Sequence, residues 1–497
     1  MDEESADSTQ VSSLRSIVRG SSLFAIGEVF RNGAGFLFNW ALVTALGANL
    51  YGIYTYGHLI VELSQIVTKA GTDNGLLRYL PKYADNPARQ ARIVTSAYVG
   101  PLVASVLGAG LLYVFAPLMS TLTLDDPLFI DVLRILSFSL PAYTTALIIG
   151  SVFRSVKRPE YDVFLEVAKP GAQLCAAGIG LLVGFSLIQT TLALLIASGM
   201  VLALSVLIFY TRSSVKLALP KSRNETTEFY RFSLPLMLSD AANVLYKQID
   251  VLMVGFILAS TQVGIYRIAT LVALVLSLPL GGINLLFPPV ASELYTRGKP
   301  HELQSVYRIV TRWSFTITLF LAAGAIVYRD TLLSSVFGST IATGSAVLAV
   351  LVFGQLFNAA VGPSNYVLMM TDHQYLIFIN HWSFGVLNVI LNYYLLTQFG
   401  LIGAALATAS VLAAVNIVRV VEVWYLEGIV PYSITFVKPT VSCVIAGVAM
   451  SLLREYLSGF ALLFIGGGVG FVTFGGLLYL AGIEEEDKEV FSDMLPG

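Results

Sequence analysis

Long apolar runs are the feature of this chain that most restricts its fold. They recur along almost the whole sequence, each about 20 residues long, the length of helix that crosses a bilayer core of about 30 Å. Hydrophobic residues make up 56% of the 497 residues and charged residues only 12%, whereas a soluble domain carries about 25% charged residues. We therefore expect an all-α polytopic membrane protein with about 14 transmembrane helices. The predicted spans are 21–46, 50–70, 93–119, 129–152, 161–184, 188–211, 232–257, 262–287, 309–328, 344–371, 374–397, 400–426, 434–454 and 458–481.

The composition excludes several other classes of protein. A net charge of −2 gives no electrostatic support for nucleic-acid binding. Cys175 and Cys443 lie in apolar runs and the four histidines are scattered, so we expect no disulfide framework, no metal site and no haem. The sequence has no phosphate-binding loop of the ATPase type and no polar segment long enough for a soluble catalytic domain. We predict a protein that is not an enzyme and has no cofactor.

The distribution of lysine and arginine predicts the orientation in the membrane. With the N-terminus in the cytoplasm, the inner segments carry 19 of the 29 basic residues, and the outer loops carry only Arg329 and Arg454. This asymmetry follows the positive-inside rule and places both termini of a plasma-membrane protein in the cytoplasm. The acidic start of the chain is unlike a secretory signal. The sequon at Asn224 would lie in a cytoplasmic loop and remain unglycosylated.

A weak internal repeat predicts two halves. With an offset of 212 residues, Tyr51-Gly52-Ile53-Tyr54 aligns with Val263-Gly264-Ile265-Tyr266, and Glu28 aligns with Asp240. Parallel repeats of this kind are a transporter design in which the substrate binds between the halves near the midplane. The predicted segments are a cytoplasmic N-terminal segment 1–20, a six-helix half 21–211, a cytoplasmic linker 212–231, a second six-helix half 232–426, two further helices in 434–481 and an acidic cytoplasmic tail 482–497.

Charged residues deep in predicted spans are the candidate functional residues, because such a charge costs at least about 2.5–3.5 kcal/mol. The seventh span carries Asp240, Asn243, Lys247 and Asp250 at spacings that place all four on one helical face. They could line a wet cavity, or they could form an internal ion pair that only joins helices.

Three further positions share this ambiguity. Glu28 and Arg31 lie three residues apart in the first span and either line the same cavity or form an intrahelical salt bridge. Glu62, in the middle of the second span, is either a proton carrier or a hydrogen-bonded packing residue. Arg267, in the eighth span, either lines the cavity or reaches the outer surface.

Charges closer to span ends are expected to reach the membrane surface. The basic and aromatic loop 71–92 either rests on the anionic inner leaflet or helps to receive an anionic substrate. The side chains expected at the surface are Lys69, Arg134, Arg312, Arg419 and Glu422, together with the stripe Arg158, Asp162, Glu166 and Lys169 of the fifth span.

Several local strings resemble those of the multidrug/oligosaccharidyl-lipid/polysaccharide (MOP) flippase superfamily, and in particular its polysaccharide-transporter branch of Wzx-type flippases. The resemblance covers about residues 15–481. The strings are Leu46–Tyr54 (LGANLYGIY), Gly75–Tyr83 (GLLRYLPKY), Phe229–Pro235 (FYRFSLP), Gln248–Asp250 (QID), Val263–Tyr266 (VGIY) and Gly400–Ala405 (GLIGAA).

This resemblance implies two helical bundles in a V-shaped arrangement that open alternately to either side of the membrane. It also implies the substrate, a lipid-linked oligosaccharide on a polyprenyl or dolichyl phosphate or pyrophosphate, and partners among the glycosyltransferases or polymerase of the same pathway. From their depth alone, Arg31, Lys247 and Arg267 are the candidate phosphate ligands. Glu28, Glu62, Asp240 and Asp250 are candidates for coupling to Na⁺ or H⁺, and Asn243 would line the cavity.

Three alternatives differ from this interpretation in testable ways. A cation-coupled exporter of small molecules, of the MATE type, would have twelve spans rather than fourteen and less need for deep cations. A membrane-embedded glycosyltransferase or polymerase would need a larger polar loop than the longest here, which have about 20 residues. A purely structural scaffold would carry deep charges without a use.

Overall fold

In a computed structural model the backbone is described for residues 2–218 and 223–482, and side chains are described for 27, 28, 30–218, 225–244 and 247–482. Arg15 and Arg19, the sequon Asn224, most of the linker's centre and the acidic tail after residue 482 lie outside the described side chains. Within the described ranges the chain is helical and forms no strand. It divides into two compact units, Met1–Leu245 and Tyr246–Gly497.

The first unit contains seven complete helices and most of an eighth. They are α1 (Asp2–Lys69), α2 (Thr72–Lys82), α3 (Pro87–Leu122), α4 (Pro127–Ser137), α5 (Ser139–Ser155), α6 (Pro159–Val183), α7 (Leu187–Arg212) and α8 (Arg223–Ile257). The boundary between the units lies within α8.

The second unit contains the end of α8 and twelve further helices. They are α9 (Ser260–Val275), α10 (Leu278–Thr296), α11 (Pro300–Val327), α12 (Arg329–Phe337), α13 (Ser339–Ala342), α14 (Ser345–Val361), α15 (Ser364–Met370), α16 (Gln374–Phe399), α17 (Leu401–Glu427), α18 (Val437–Leu452), α19 (Gly459–Ala461) and α20 (Gly467–Leu480).

Every predicted span coincides with helix, but the number of spans depends on how breaks and charges are treated. By length and hydropathy, ten helical segments of the described chain could cross a membrane, and eleven could if the bent pair α9 and α10, which meet at 51°, is one span. The predicted first and second spans form one helix that is interrupted only at Gly47, with φ 74° and ψ 170°. The charged stripes of α6 and α8 lower the hydropathy of those two helices. The count of 14 is compatible with these helices and stays a prediction.

The breaks between helices repeat along the chain. Gly47, which interrupts α1, lies 212 residues before Ala259, the N-cap of α9, and both have an extended ψ, 170° and 162°. The C-cap Gly184 of α6 precedes the C-cap Gly400 of α16 by 216 residues, and both have positive φ. Helix ends are therefore repeated at nearly the offset that the sequence strings indicate.

The predicted loop 71–92 contains a helix instead, α2. Its apolar side chains Leu76, Tyr79 and Leu80 are buried at the contact with α5 and with Phe229 of α8. Gly71 has φ 66°, and a Cβ there would lie 2.2 Å from the backbone oxygen of Ser233. Close approach of α8 therefore requires glycine at this junction.

Candidate functional site

Asp240 of α8 is part of an ion cluster in the first unit. The Nζ of Lys69 lies 2.6 Å from an Oδ2 of Asp240 and 2.7 Å from the Oδ2 of Asp73. The Lys69 side chain is only 12% exposed, so the prediction that it reaches the membrane surface is wrong. The physical reason is that Lys69 ends α1 opposite two carboxylates, which match its charge more closely than interfacial water would.

The basic stretch 71–92 is matched by acids near the start of α8. Arg92 makes two hydrogen bonds to Glu225, with N···O distances of 2.8 and 3.1 Å. Lys82 and Arg89 approach Glu228 at 3.9 and 3.6 Å. Much of the positive charge assigned to lipid or substrate is therefore balanced within the first unit.

Glu28 and Arg31 form an ion pair on α1, and each side chain is close to half exposed. The Glu28 Oε1 also accepts a hydrogen bond of 3.2 Å from Asn32. This is the intrahelical salt bridge that the spacing allowed. Its exposed position leaves the cavity-lining role of both residues a prediction.

The charged stripe of α6 faces inward rather than toward the membrane surface. Asp162 is buried and accepts a 2.6 Å hydrogen bond from Arg154 of α5, which also reaches Glu166 at 3.3 Å. Gly150 makes room for this carboxylate, since a Cβ at that position would lie 2.5 Å from the Asp162 Oδ1. The surface interpretation of Asp162 is wrong, because helical spacing gives the direction of a stripe only relative to its own helix.

Lys169 lies one turn further along the same stripe. It is ten residues into α6, about 15 Å along the helix axis. Its Nζ stands 4.1 Å from the ring centroid of Tyr143, whose hydroxyl accepts a 3.1 Å hydrogen bond from Gln173. Glu62 of α1 is the charged group that acts on it electrostatically. Lys169 is thus an interior cation, and its companions Tyr143 and Gln173 carry no charge by which sequence reasoning could have found them.

In the second unit, Asp250 is buried among uncharged donors. Its Oδ2 accepts hydrogen bonds from the hydroxyls of Tyr266 (2.8 Å) and Thr408 (3.2 Å), and its Oδ1 accepts one from the backbone N–H of Val251 (2.8 Å). Only 3% of the residue is exposed. Such a carboxylate is hydrogen-bonded without being neutralised, a condition suited to holding a proton or a small cation.

Lys247 and Asn243 are exposed, and Lys247 forms no salt bridge with any described residue. The Nε of Arg267, on α9, is buried and has no hydrogen-bond partner in the described part of the chain. Arg267 also acts electrostatically on Asp250. Lys247 and Arg267 are therefore cations in the second unit with donor capacity left for an anion.

Arg419 is a further interior cation of the second unit. It is 8% exposed and donates a 3.3 Å hydrogen bond to Asn416, whose amide in turn donates to Asn358 at 3.3 Å. Three residues on, Glu422 accepts a 2.8 Å hydrogen bond from Asn380 of α16. The expectation that Arg419 reaches the membrane surface is wrong, because it points into the contact between α14, α16 and α17.

The described residues contain no group of three histidine, cysteine, aspartate or glutamate side chains placed to hold a metal ion. What the chain does bring together is charge inside apolar helices, in each of two helical units. Many apolar membrane-crossing helices and interior charges without such a metal cluster define a multi-pass membrane transporter.

The comparisons with known proteins agree with this class. The family model for polysaccharide biosynthesis proteins matches residues 17–294, and the MatE model matches residues 235–394. The chain belongs to the polysaccharide biosynthesis protein family, within the MOP superfamily. It is a transporter-class protein and not an enzyme, as the sequence predicted.

One curated relative and two solved structures illustrate the similarity. The probable low-salt glycan biosynthesis flippase Agl15 of Haloferax volcanii is 24% identical over 395 residues, 79% of this chain and 80% of its own length. The lipid II flippase MurJ in an inward closed conformation aligns with a TM-score of 0.72 at 17% identity, covering 92% of this chain and 97% of its own. An inward-facing MATE multidrug transporter of the MOP superfamily aligns with a TM-score of 0.63 at 14% identity, covering 80% and 94%. These likenesses show the fold.

Proposed function

We propose that this protein is a flippase that moves a lipid-linked oligosaccharide across the cytoplasmic membrane by alternating access, for assembly of cell-surface polysaccharide or glycoprotein. The observation that carries the proposal is the unmatched positive charge of Lys247 and Arg267 on membrane helices. A sugar phosphate or pyrophosphate cannot cross hydrocarbon unaided, and basic side chains compensate its charge in a low-dielectric cleft. The flippase name of the Haloferax relative supports the same substrate class.

Lys247 and Arg267 are the stronger phosphate ligands in this proposal, and Arg31 is the weaker. Arg31 already has an acidic partner in Glu28, so binding phosphate would require exchange of that ion pair. Lys247 and Arg267 have no such competitor within salt-bridge distance among the described residues. We therefore expect neutralisation of Arg31 to impair transport less than neutralisation of either of the other two.

Coupling to Na⁺ or H⁺ would use Asp250 first. The charges of Glu28 and Asp240 are matched by Arg31 and Lys69, whereas the hydrogen bonds of Asp250 come from uncharged groups. Glu62, which shares the interior with Lys169, is the second candidate, and Asn243 would line the path. Both termini would be cytoplasmic, and the glycosyltransferases or polymerase of the pathway would supply or consume the substrate.

The experiment is to measure the leaflet distribution of the lipid-linked oligosaccharide in cells that lack this protein and are complemented with variants. We expect the deletion, and Lys247→Gln with Arg267→Gln, to accumulate the lipid on the cytoplasmic leaflet. Lys299→Gln is the matched control, because Lys299 is an exposed turn residue paired with Glu302. Normal distribution of the lipid in the deletion strain would refute the proposal.

A MATE-type exporter of small molecules is the second candidate, because the MatE model matches residues 235–394. The same strains separate the two functions. An exporter deletion would sensitise cells to small cationic compounds and leave the lipid-linked oligosaccharide evenly processed. Unmatched cations at Lys247 and Arg267 disfavour a cationic substrate.

A further inference from the structure

His381 of α16 lies between two cations of the second unit. The charged groups that act on its ring are Arg419 of α17 and Lys247 of α8. Three basic side chains from three helices therefore share one electrostatic environment. The four histidines are scattered in the sequence and Arg419 lies near a span end, so sequence reasoning could not assemble this group.

The contact between α16 and α17 fixes His381 beside Arg419. Asn380, the residue before the histidine, donates a 2.8 Å hydrogen bond to Glu422. Arg419 precedes Glu422 by three residues and so lies one turn away on the same face of α17. This hydrogen bond sets the register of the two helices, and it brings the imidazole to the level of the guanidinium.

The guanidinium of Arg419 is held rigidly by an uncharged support. Asn416, only 1% exposed, accepts its hydrogen bond and passes a second one to Asn358 of α14. An amide relay orients a cation without neutralising it, unlike the carboxylates that bind Lys69 and Arg92 in the first unit. Lys247 is the exposed and mobile counterpart, a compact charge on a long stem.

The charges around this group do not balance. Glu422 is the acidic group that acts on Arg419, and its carboxylate already accepts the hydrogen bond from Asn380. The nearby acid Glu427 is engaged by His373, with a distance of 3.4 Å. Against one carboxylate stand two permanent cations and an imidazole, so positive charge remains for an anion within the membrane helices.

We propose that Lys247, His381 and Arg419 form one oxyanion site in the second unit, which binds the phosphate or pyrophosphate of the substrate. Arg419 supplies a fixed planar donor, Lys247 a flexible charge and His381 a third N–H donor. This inference rests on the proposed function and deepens it, because it assigns two ligands beyond those that depth in the membrane suggested.

The test uses the purified full-length protein in detergent and two probes, inorganic pyrophosphate and geranylgeranyl pyrophosphate. Binding is measured by microscale thermophoresis at low and high salt. We expect Lys247→Gln and Arg419→Gln each to weaken binding of geranylgeranyl pyrophosphate by about tenfold to a hundredfold, and His381→Gln by about tenfold. Lys299→Gln should bind like the wild type. Tighter binding of the prenyl probe than of inorganic pyrophosphate would identify a lipid-linked ligand, and equal binding a free one.

Arg419→Lys separates binding from folding, because it keeps the charge where Arg419→Gln removes it. We expect Arg419→Lys to retain more binding than Arg419→Gln, with equal thermal unfolding midpoints for the two variants. Wild-type affinity in Lys247→Gln and Arg419→Gln, or no binding of either probe by the wild type, would overturn the inference. If the deletion strain nevertheless accumulates the lipid-linked oligosaccharide, the proposed function survives that failure. Normal lipid distribution in the deletion strain, with binding lost in the variants, would overturn the function and leave the oxyanion site standing.

Discussion

Replacement of Gly71 by alanine tests the packing of α2 against α8. Two costs add at this position. An L-residue at φ 66° costs about 1–2 kcal/mol. A Cβ placed 2.2 Å from the backbone oxygen of Ser233 forces α8 to move, and such overpacking costs about 1–3 kcal/mol. We expect Gly71→Ala to lower the free energy of unfolding by about 2–5 kcal/mol.

Two matched glycines separate these costs. Gly184 has φ 77° but open space around its Cβ position, so Gly184→Ala should lose only about 1–2 kcal/mol. Gly110, within α3, has neither a positive φ nor a neighbour within 4 Å, so Gly110→Ala should lose nothing. The measurement is denaturant-induced unfolding of the purified variants in mixed micelles. Equal stabilities for Gly71→Ala and Gly184→Ala would refute the close contact between α2 and α8.

Two further substitutions test the interior charges. Lys69→Gln leaves two carboxylates without their cation and should lower the unfolding free energy by about 2 kcal/mol, less than for a fully buried pair because the groups are partly exposed; Asp240→Asn in the same chain should restore part of the loss, and no restoration would contradict the ion cluster. Tyr266→Phe removes a hydrogen bond to Asp250 and should cost about 1.5–3 kcal/mol in the same assay, while the exposed Tyr393→Phe serves as its control; equal stabilities of the two would contradict the buried carboxylate network.

The positions of the helices could be predicted from the sequence, because the apolar runs directly reflect the solvent. The break at Gly47 and the ends of α6, α7, α16 and α17 all fall within a few residues of the predicted span limits. The helix α2 was missed, since its 11 residues are too polar for a span. Its buried positions Leu76, Tyr79 and Leu80 recur at helical spacing, a signal that the sequence does contain.

The direction of interior side chains could not be predicted. Lys69, Lys169 and Arg419 all lie close enough to a span end to reach the surface by length alone. Whether such a side chain turns outward depends on which face of its helix meets a neighbouring helix, and that is a tertiary property. The contact of Asp250 with Thr408 joins residues 158 positions apart, and no local pattern announces it.

The neighbouring charges of the second unit make a coupling between ion and substrate testable. Arg267 acts electrostatically on Asp250, so a proton or Na⁺ on Asp250 would leave more of the Arg267 charge available to a phosphate. By linkage, a phosphate on Arg267 would weaken, or a cation on Asp250 would strengthen, the other site by reciprocal factors only if both act on one shared charge balance; here the cation removes the competitor of the anion, so each ligand should favour the other. We expect Na⁺ or a lower pH to tighten binding of geranylgeranyl pyrophosphate severalfold in the wild type. Asp250→Asn should bind it tightly without either, and an unchanged response to Na⁺ and pH in that variant would show that the coupling carboxylate lies elsewhere.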